Sequence, residues 1–306
     1  MIGIPAVAAR AAAAALFAAS FGLCSAMYGP VRAASARPAA RIAPRIVSLS
    51  PHITELLFAA GAGPRIVGVD DASDYPPAVM RIPRVGEAAA LDIEGLLRLQ
   101  PTLVLVWGSG SPPQLRSQLE RLHVSVGETE QRTLEDIGSA IVAFGRLGDS
   151  APAAEEAARR YRSDLAALRS QYAHRPRLKV FYQVWDRPLY TLSGAHVVSE
   201  ALSLCGGDNI FAHLSTLAPA VDREAVIAAD PDVILIGATG PEGARQAADW
   251  SPFSDLRAVR AHRIFMLDAS LIGRMSPRIL QGIREVCSSL DAARAGTVSN
   301  KRQPPG

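Results

Sequence analysis

The sequence predicts an α/β fold: two Rossmann-like α/β lobes with mostly parallel sheets, joined by a single long helix. Three observations lead to this prediction. The stretch 149–174 has the pattern of one helix with a narrow apolar stripe. Short helices and aliphatic strands alternate on both sides of it. An internal repeat relates the two sides to each other.

The long helix has clear local signals. Asp149 or Ser150 is placed to cap its start, Pro152 fits the first turn, and Pro176 ends it. The apolar stripe recurs at steps of three and four: Ala158, Tyr161, Leu165, Leu168 and Tyr172. A narrow stripe suits a helix that crosses two lobes, although a surface helix of one large domain would show it as well.

The repeat matches two pairs of segments in the same order. Residues 92–106 and 222–236 each place a glutamate seven residues before a proline and continue as an aliphatic run. Residues 54–61 and 199–206 each run from a hydroxyl residue and a glutamate to a glycine. One such match would be weak, but two in order indicate similar α/β units.

The chain is therefore divided into five segments. We expect a signal peptide at 1–36, an N-terminal lobe at 37–148, the connecting helix at 149–175, a C-terminal lobe at 176–294 and a disordered tail at 295–306. The apolar stretch 11–27 is short for a bilayer span, and Leu before Cys24 makes a poor lipoprotein signal. A soluble exported, periplasmic protein is expected; an uncleaved leader is the alternative.

Each element of the first lobe rests on a local signal. Aliphatic runs predict strands, apolar periodicity predicts helices, and Gly, Pro and acidic clusters mark turns. We predict strand 45–50, helix 53–60, strand 66–69, an acidic loop at 70–77, an extended segment at 82–85, helix 93–99, strand 103–106, helix 114–122, strand 124–126 and helix 134–147.

The second lobe repeats the alternation. We predict strand 178–184, helix 197–204, helix 221–229, strand 233–236, a helical segment at 244–250, strand 263–267 and helix 277–293. Removing the leader leaves two cysteines, Cys205 and Cys287, which form a natural pair in an oxidising compartment. A bridge would close a loop of about 80 residues, worth on the order of 4 kcal/mol; two free thiols are the alternative.

Charge and motifs exclude several function classes. The formal charge is +3, and loss of the two leader arginines lowers it by two, which favours neither a nucleic-acid nor a membrane surface. The sequence has no metal-spaced cluster, nucleophile elbow, phosphate loop or dinucleotide fingerprint. We therefore expect neither an enzyme nor a resident metal or cofactor.

Candidate binding residues follow the strands, because open parallel sheets bind ligands beyond their carboxyl ends. The candidates are His52, Tyr75, Trp107, Tyr182, Trp185, Tyr190, Ser270 and Arg274. Such an aromatic set favours binding a large flat ligand over catalysis.

Each candidate also has a simpler interpretation. Trp107 could serve in packing instead of ligand binding. Tyr75 could hold its own loop in place instead of contacting a ligand. His52 is interpreted first as a capping or solvated residue, and Arg274 has Asp268 as a possible partner. Glu94 and Glu224 fit as helix-start acids, but their matched positions set them apart.

Five stretches carry a family resemblance: RIVSLSPHITELLFAAG, VGVDDASDYPP, the segment 94–106, LCGGDNIF, and MSPRIL through to Cys287. From about 45 to 293 the chain resembles the periplasmic cobalamin-binding proteins of vitamin B12 ABC importers, within a broader group of haem and siderophore binders (class III solute-binding proteins). The order and spacing of these motifs carry the resemblance, including the two cysteines, which are bridged in that family.

The resemblance implies two lobes joined by a rigid helix, with ligand held between them and little lobe movement. It implies that Glu94 and Glu224 dock onto arginines of the membrane permease, which works with its ATPase subunits. Trp107 and Arg274 match positions that line the cobalamin site. We expect the protein to be a monomer.

The pocket departs from the family pattern. Well-known members carry a Tyr where this chain has Ala72, a Trp at the positions of Ala88 and Ala218, and an Asp at that of Ser270. Trp185 and Tyr182 have no aromatic counterpart, and we expect them to refill the cleft from the other lobe.

The expected function is capture of cobalamin or a related corrinoid and its delivery to an ABC importer. Haem is the alternative ligand, for which Tyr75, Tyr190 or His52 would reach the iron, and a ferric siderophore comes third. An exported α/β enzyme and a sensor domain are rivals from other classes.

Overall fold

The structure is a computed structural model that describes residues 43–296, so the predicted signal peptide lies outside the described residues, as does the tail from 297. Within that range the first lobe alternates strands and helices: β1 Ile46–Ser48, α1 Pro51–Ala59, β2 Ile66–Val69, β3 Gly86–Glu87, β4 Ala90–Leu91, α2 Ile93–Arg98, β5 Leu103–Trp107, α3 Pro113–Arg121, β6 Val126–Thr129 and α4 Leu134–Leu147. Two 3₁₀ turns cover Gly63–Arg65 and Pro77–Arg81.

Four strands of this lobe form one parallel sheet in the order β2-β1-β5-β6. The central strand β5 is the aliphatic run predicted from the sequence, and its middle residues are buried. The short strands β3 and β4 form a separate antiparallel hairpin directly before α2.

The connecting helix α5 covers Ala151–Tyr172. Its buried face consists of Ala154, Ala158, Tyr161, Leu165 and Leu168, so four of the five predicted stripe residues are buried. Ser150 occupies the N-cap position, but its hydroxyl donates to the carbonyl of Ala60 at 2.7 Å instead of capping the helix. Arg169 reaches both lobes, donating to Glu135 of α4 and to Glu200 at 2.9 Å each.

The second lobe continues with β7 Leu178–Gln183, β8 Trp185–Asp186, β9 Leu189–Tyr190, α6 Val197–Leu204, β10 Gly207–Asn209, α7 Arg223–Ala229, β11 Val233–Ile236, α8 Gly240–Ala248, α9 Arg257–Arg260, β12 Ile264–Met266, α10 Ala269–Ile272 and α11 Ile279–Ala295. Its sheet is also parallel, in the order β10-β7-β11-β12. The predicted fold class, two parallel α/β lobes joined by one helix, is confirmed.

A shared core and one covalent link hold these elements. The largest apolar cluster of the described residues includes side chains from both lobes and from α5, such as Ile53, Leu165 and Ile283. Cys205, at the end of α6, is bonded to Cys287 of α11, which confirms the predicted bridge; their Cα atoms lie 4.8 Å apart. No helix in the described range is long and apolar enough to cross a membrane.

Helices α2 and α7 occupy equivalent places in the two lobes. Asp92 caps α2 by accepting from the N–H of Gly95 at 2.9 Å, and Asp222 caps α7 by accepting from Ala225 at 2.8 Å. Each helix then leads into a buried central strand, as the sequence repeat predicts.

Several local predictions are wrong. Strand β6 lies at Val126–Thr129 rather than 124–126, because an edge strand tolerates Gly127 and Glu128, which break the apolar pattern. No strand was predicted at 185–190, where the chain forms the hairpin β8–β9 with its turn at 187–188. The segment 82–85, by contrast, is extended as predicted and forms an isolated bridge from Arg84 to Val69.

Candidate ligand-binding cleft

Residues of both lobes line a narrow space, here called the interlobe cleft. Trp107 and residues 130–132 line it from the first lobe, and residues 195–197, Leu217 and Met275 line it from the second. The cavity between them measures about 10 Å³. Of the binding residues predicted from strand ends, Trp107 lines this cavity.

Trp107 forms the first wall and is held in one orientation. Its indole N–H donates to Glu130 Oε1 at 3.3 Å, and the same carboxylate accepts from the backbone N–H of Ser109 at 2.8 Å. Gly110 lies so close to the ring that an added Cβ would be 1.9 Å from it. The ring edge of His52 packs against the indole, with centroids 5.2 Å apart. We did not predict Glu130, whose position directly after β6 was hidden by the misplaced strand.

His52 is buried, which corrects the interpretation that it is solvated: it is 3% exposed. Its Nδ1 lies 2.7 Å from the Ser50 hydroxyl. Burial and the nearby positive charge of Arg274 lower the pKa of His52 to about 3. Burial likewise lowers the pKa of His196, at the start of α6, to about 4. Both cleft histidines are therefore neutral at neutral pH.

Arg274 connects the two lobes. The prediction that Arg274 pairs with Asp268 is wrong. Its guanidinium lies 3.0 Å from Glu55 of α1 and also pairs with Asp74. Asp268 instead caps α10 by accepting from the backbone N–H of Ser270 at 2.8 Å. The hydrogen bond from Arg274 holds the pKa of Asp74 below its usual value.

Glu55 is the centre of this ion network, and the sequence analysis passed over it. Its carboxylate side chain is 2% exposed. It also lies 3.2 Å from Arg278 and accepts a hydrogen bond from Ser276 at 2.6 Å. A weaker bond of 3.4 Å runs from Arg278 to the hydroxyl of Ser270, which places Ser270 behind the network.

Tyr75 lies at a second cavity beside the cleft. Its ring is 43% exposed and lies under the guanidinium of Arg278, 4.1 Å from the ring centroid. This side cavity measures about 380 Å³ and is lined by Glu55, Phe58, Ala59, Tyr75, Pro76, Pro277, Arg278 and Gln281. Tyr75 is therefore not among the residues that line the Trp107 cavity.

The second lobe carries two aromatic candidates on the β8–β9 hairpin, and neither is among the residues that line the Trp107 cavity. Trp185 and Tyr190 are paired across the two strands, and Tyr190 also bridges to Ala220. Trp185 is 54% exposed, so its ring is open to solvent. Tyr182 differs: it is 3% exposed within the core, and burial raises the pKa of its hydroxyl. Its burial argues against the predicted ligand contact.

The positions that lack family aromatics are small and accessible. Ala72 and Ala218 are exposed, and Ala88 is half-buried on the β3–β4 segment. Ala88 and Ala218 each stand six residues before the matched glutamates Glu94 and Glu224. Both glutamates are exposed in the first turns of α2 and α7, and neither lines the Trp107 cavity.

The described residues contain no group of three or more His, Cys, Asp or Glu side chains that could hold a metal ion. The cleft is lined by an oriented indole, the neutral imidazole of His196, three polar or charged residues at 130–132, and apolar side chains. Comparison with known proteins decides the family. The sequence profile of the periplasmic binding protein family matches residues 46–271. The chain belongs to this family.

Relatives of this periplasmic binding protein are named for vitamin B12. The Vitamin B12-binding protein of Vibrio cholerae is 35% identical over 251 residues, which cover 82% of this chain and 90% of the relative. The crystal structure of the periplasmic vitamin B12-binding protein of Vibrio cholerae matches with a TM-score of 0.76 at 34% identity, covering 82% of this chain and 98% of that one. Both comparisons span the two lobes.

A haem binder has the same fold. The periplasmic haem-binding protein from Roseiflexus sp. RS-1 matches this periplasmic binding protein with a TM-score of 0.72 at 28% identity, covering 82% of this chain and 99% of that one. The fold therefore serves more than one large ligand, and the lining residues must decide between them.

Proposed function

We propose that this protein captures cobalamin or a related corrinoid between its lobes in the periplasm and delivers it to an ABC importer. The observation that carries the proposal is the fixed indole of Trp107 in a cleft that residues of both lobes line. The vitamin B12-binding relatives support the choice of ligand.

The chemistry of the cleft suits a corrinoid. A corrin ring is large and nearly flat, and it carries amide side chains around its edge. Trp107 offers a face for the ring, and the exposed Trp185 covers it from the other lobe, supplying aromatic surface that Ala88 and Ala218 lack. The cavity of about 10 Å³ is too small for such a ligand, so capture requires the walls to separate or the ligand to rest at the cleft mouth.

The residues around Trp107 favour ligand capture over catalysis. The two cleft histidines are neutral and buried, and the acid nearest to Trp107, Glu130, is committed to holding the indole and Ser109. Acid–base catalysis needs a group whose pKa lies near the working pH and which reaches the substrate. Turnover of a bound corrinoid by the purified protein would contradict this view.

Delivery is assigned to Glu94 and Glu224. One exposed glutamate on each lobe suits a partner that presents a cationic group at two equivalent places. Charge reversal at both residues is expected to abolish uptake while corrinoid binding is retained. If uptake persists, the protein acts as a binding or sensing module without this docking contact.

Haem is the second candidate, favoured by the Roseiflexus haem-binding relative. An axial ligand would have to come from an accessible side chain. Tyr75 is 43% exposed and Tyr190 is half-buried, whereas His52 is 3% exposed. Tyr190, beside Trp185, is the best placed of the three.

Equilibrium dialysis against cyanocobalamin, cobinamide and haemin, run in parallel, tests the ligand. We expect saturable one-site binding of both corrinoids and weak, unsaturated uptake of haemin. Tight binding of haemin alone, lost in Tyr190→Phe, would establish the second candidate. Binding of none of the three would contradict both ligands.

A further inference from the structure

Each lobe presents a matching surface patch on the helix that leads into its central strand. The N patch is defined as Glu94 with Leu97 on α2, and the C patch as Glu224 with Ile227 on α7. In each patch the aliphatic residue follows the glutamate by three positions, which places both on one helix face.

The match extends to exposure. From 91 to 99 and from 221 to 229, the order of buried, half-buried and exposed residues is the same at all nine positions. Leu97 is 39% exposed and Ile227 is 37% exposed. A single exposed aliphatic side chain is ordinary, but two at equivalent positions beside exposed glutamates require a common reason.

We infer that Leu97 and Ile227 are apolar contacts which, with the two glutamates, seat the protein on a partner that has two equivalent halves. This inference rests on the proposed delivery function, whose membrane permease is the partner. Each half of that partner presents a cationic group next to an apolar surface. Burial of an aliphatic side chain then adds a contact that salt does not screen, whereas the glutamate pairs weaken as ionic strength rises.

The two patches differ at the next position. Arg98, whose side chain is 70% exposed, lies 4.0 Å from Glu94 and 3.8 Å from Asp92, whereas the equivalent residue in the second lobe is Ala228. A cation four residues after a glutamate offsets part of its charge. Arg223, which precedes Glu224, is paired with Asp249, so less of the Glu224 charge is offset, and we expect the C patch to make the stronger charge contact.

Binding to the cognate permease–ATPase complex in proteoliposomes tests the inference. Leu97→Ser and Ile227→Ser are each expected to weaken docking by about tenfold. Leu122→Ser is the matched control, because Leu122 is 41% exposed at the end of α3 and belongs to neither patch. Cyanocobalamin binding by all three variants is expected to equal that of the parent protein, because none of these residues lines the cleft.

Variants of the charged residues provide an independent test of the same surface. Glu224→Gln is expected to weaken docking more than Glu94→Gln, and Arg98→Ala to strengthen it. If Leu97→Ser and Ile227→Ser behave like Leu122→Ser, the apolar contacts are refuted. Loss of docking on reversal of both glutamates would then still support the proposed function. If that reversal also leaves docking intact, the docking function itself is refuted.

Discussion

The two walls that we propose for the ligand, Trp107 in the first lobe and Trp185 in the second, are built in different ways. Trp107 is held by Glu130, by the close approach of Gly110 and by the ring of His52. Trp185 lies on a short hairpin and is 54% exposed. The first wall is therefore ordered before a ligand arrives, and the second still has surface to bury. A preorganised wall loses less side-chain conformational entropy on binding than a mobile one, so more of its contact energy appears as affinity.

The ion network that joins the two lobes gives the largest expected effect. Glu55→Gln leaves Arg274 and Arg278 with weaker partners, and we expect a loss of about 2–4 kcal/mol in the free energy of unfolding after allowing for the partial exposure of both arginines. Urea unfolding measures it. Asp74→Asn is the control, because its side chain is 60% exposed and should cost much less. Equal losses in the two variants would show that the buried carboxylate has no special role.

Trp107→Ala tests the preorganised wall itself. Removing the fixed indole is expected to weaken cyanocobalamin binding by about 100-fold, because a buried aromatic anchor carries a large share of binding energy. Glu130→Gln keeps the packing but weakens the hold on the indole and on Ser109, so a smaller loss is expected. Isothermal titration calorimetry measures both. An unchanged affinity in Trp107→Ala would contradict the role of this wall.

The buried imidazole of His52 makes the first wall sensitive to acid. The pKa of His52 is lowered from 6.5 to about 3, so between these values the unfolded chain binds a proton that the folded protein does not. Stability therefore falls as the pH drops through this window, with a slope approaching about 1.4 kcal/mol per pH unit. The free energy of unfolding of the parent protein and of His52→Gln, measured at pH 7.5, 5.5 and 4.5, isolates the contribution of this imidazole. Identical pH slopes would mean that the ring is not held neutral.

The exposed wall gives the smallest effect. Trp185→Ala is expected to weaken corrinoid binding by about tenfold, since the ring gains burial only when ligand is present. Trp185→Phe should recover part of the loss. A cost as large as that of Trp107→Ala would show that the walls contribute equally and would remove the contrast between them.

Local signals allowed much of the fold to be predicted. The bounds of α4, α6 and β11 match the predicted ranges, and α4 begins with a capping box formed by Thr133 and Asp136. Strand β6 and the hairpin β8–β9 were missed because their residues lack a continuous apolar pattern.

Long-range partners could not be predicted in the same way. Glu55 and Arg274 are 219 residues apart in the chain, and only the folded lobes bring them together. Local sequence showed that Trp107 follows a strand, but not that Glu130 holds it. The burial of His52 and Tyr182 likewise depends on elements packed over them from elsewhere in the chain.

Tryptophan fluorescence titrated with cyanocobalamin tests the central claim most directly. Trp107 lines the interlobe cleft, so a corrin ring held between the lobes must lie near it, and the exposed Trp185 reports whether the ring also reaches the β8–β9 hairpin. We predict strong quenching that saturates at one ligand per chain. Trp107→Ala should shift the midpoint of the titration to about 100-fold higher concentration. Absence of saturable quenching by cyanocobalamin in the parent protein would contradict corrinoid capture between the lobes.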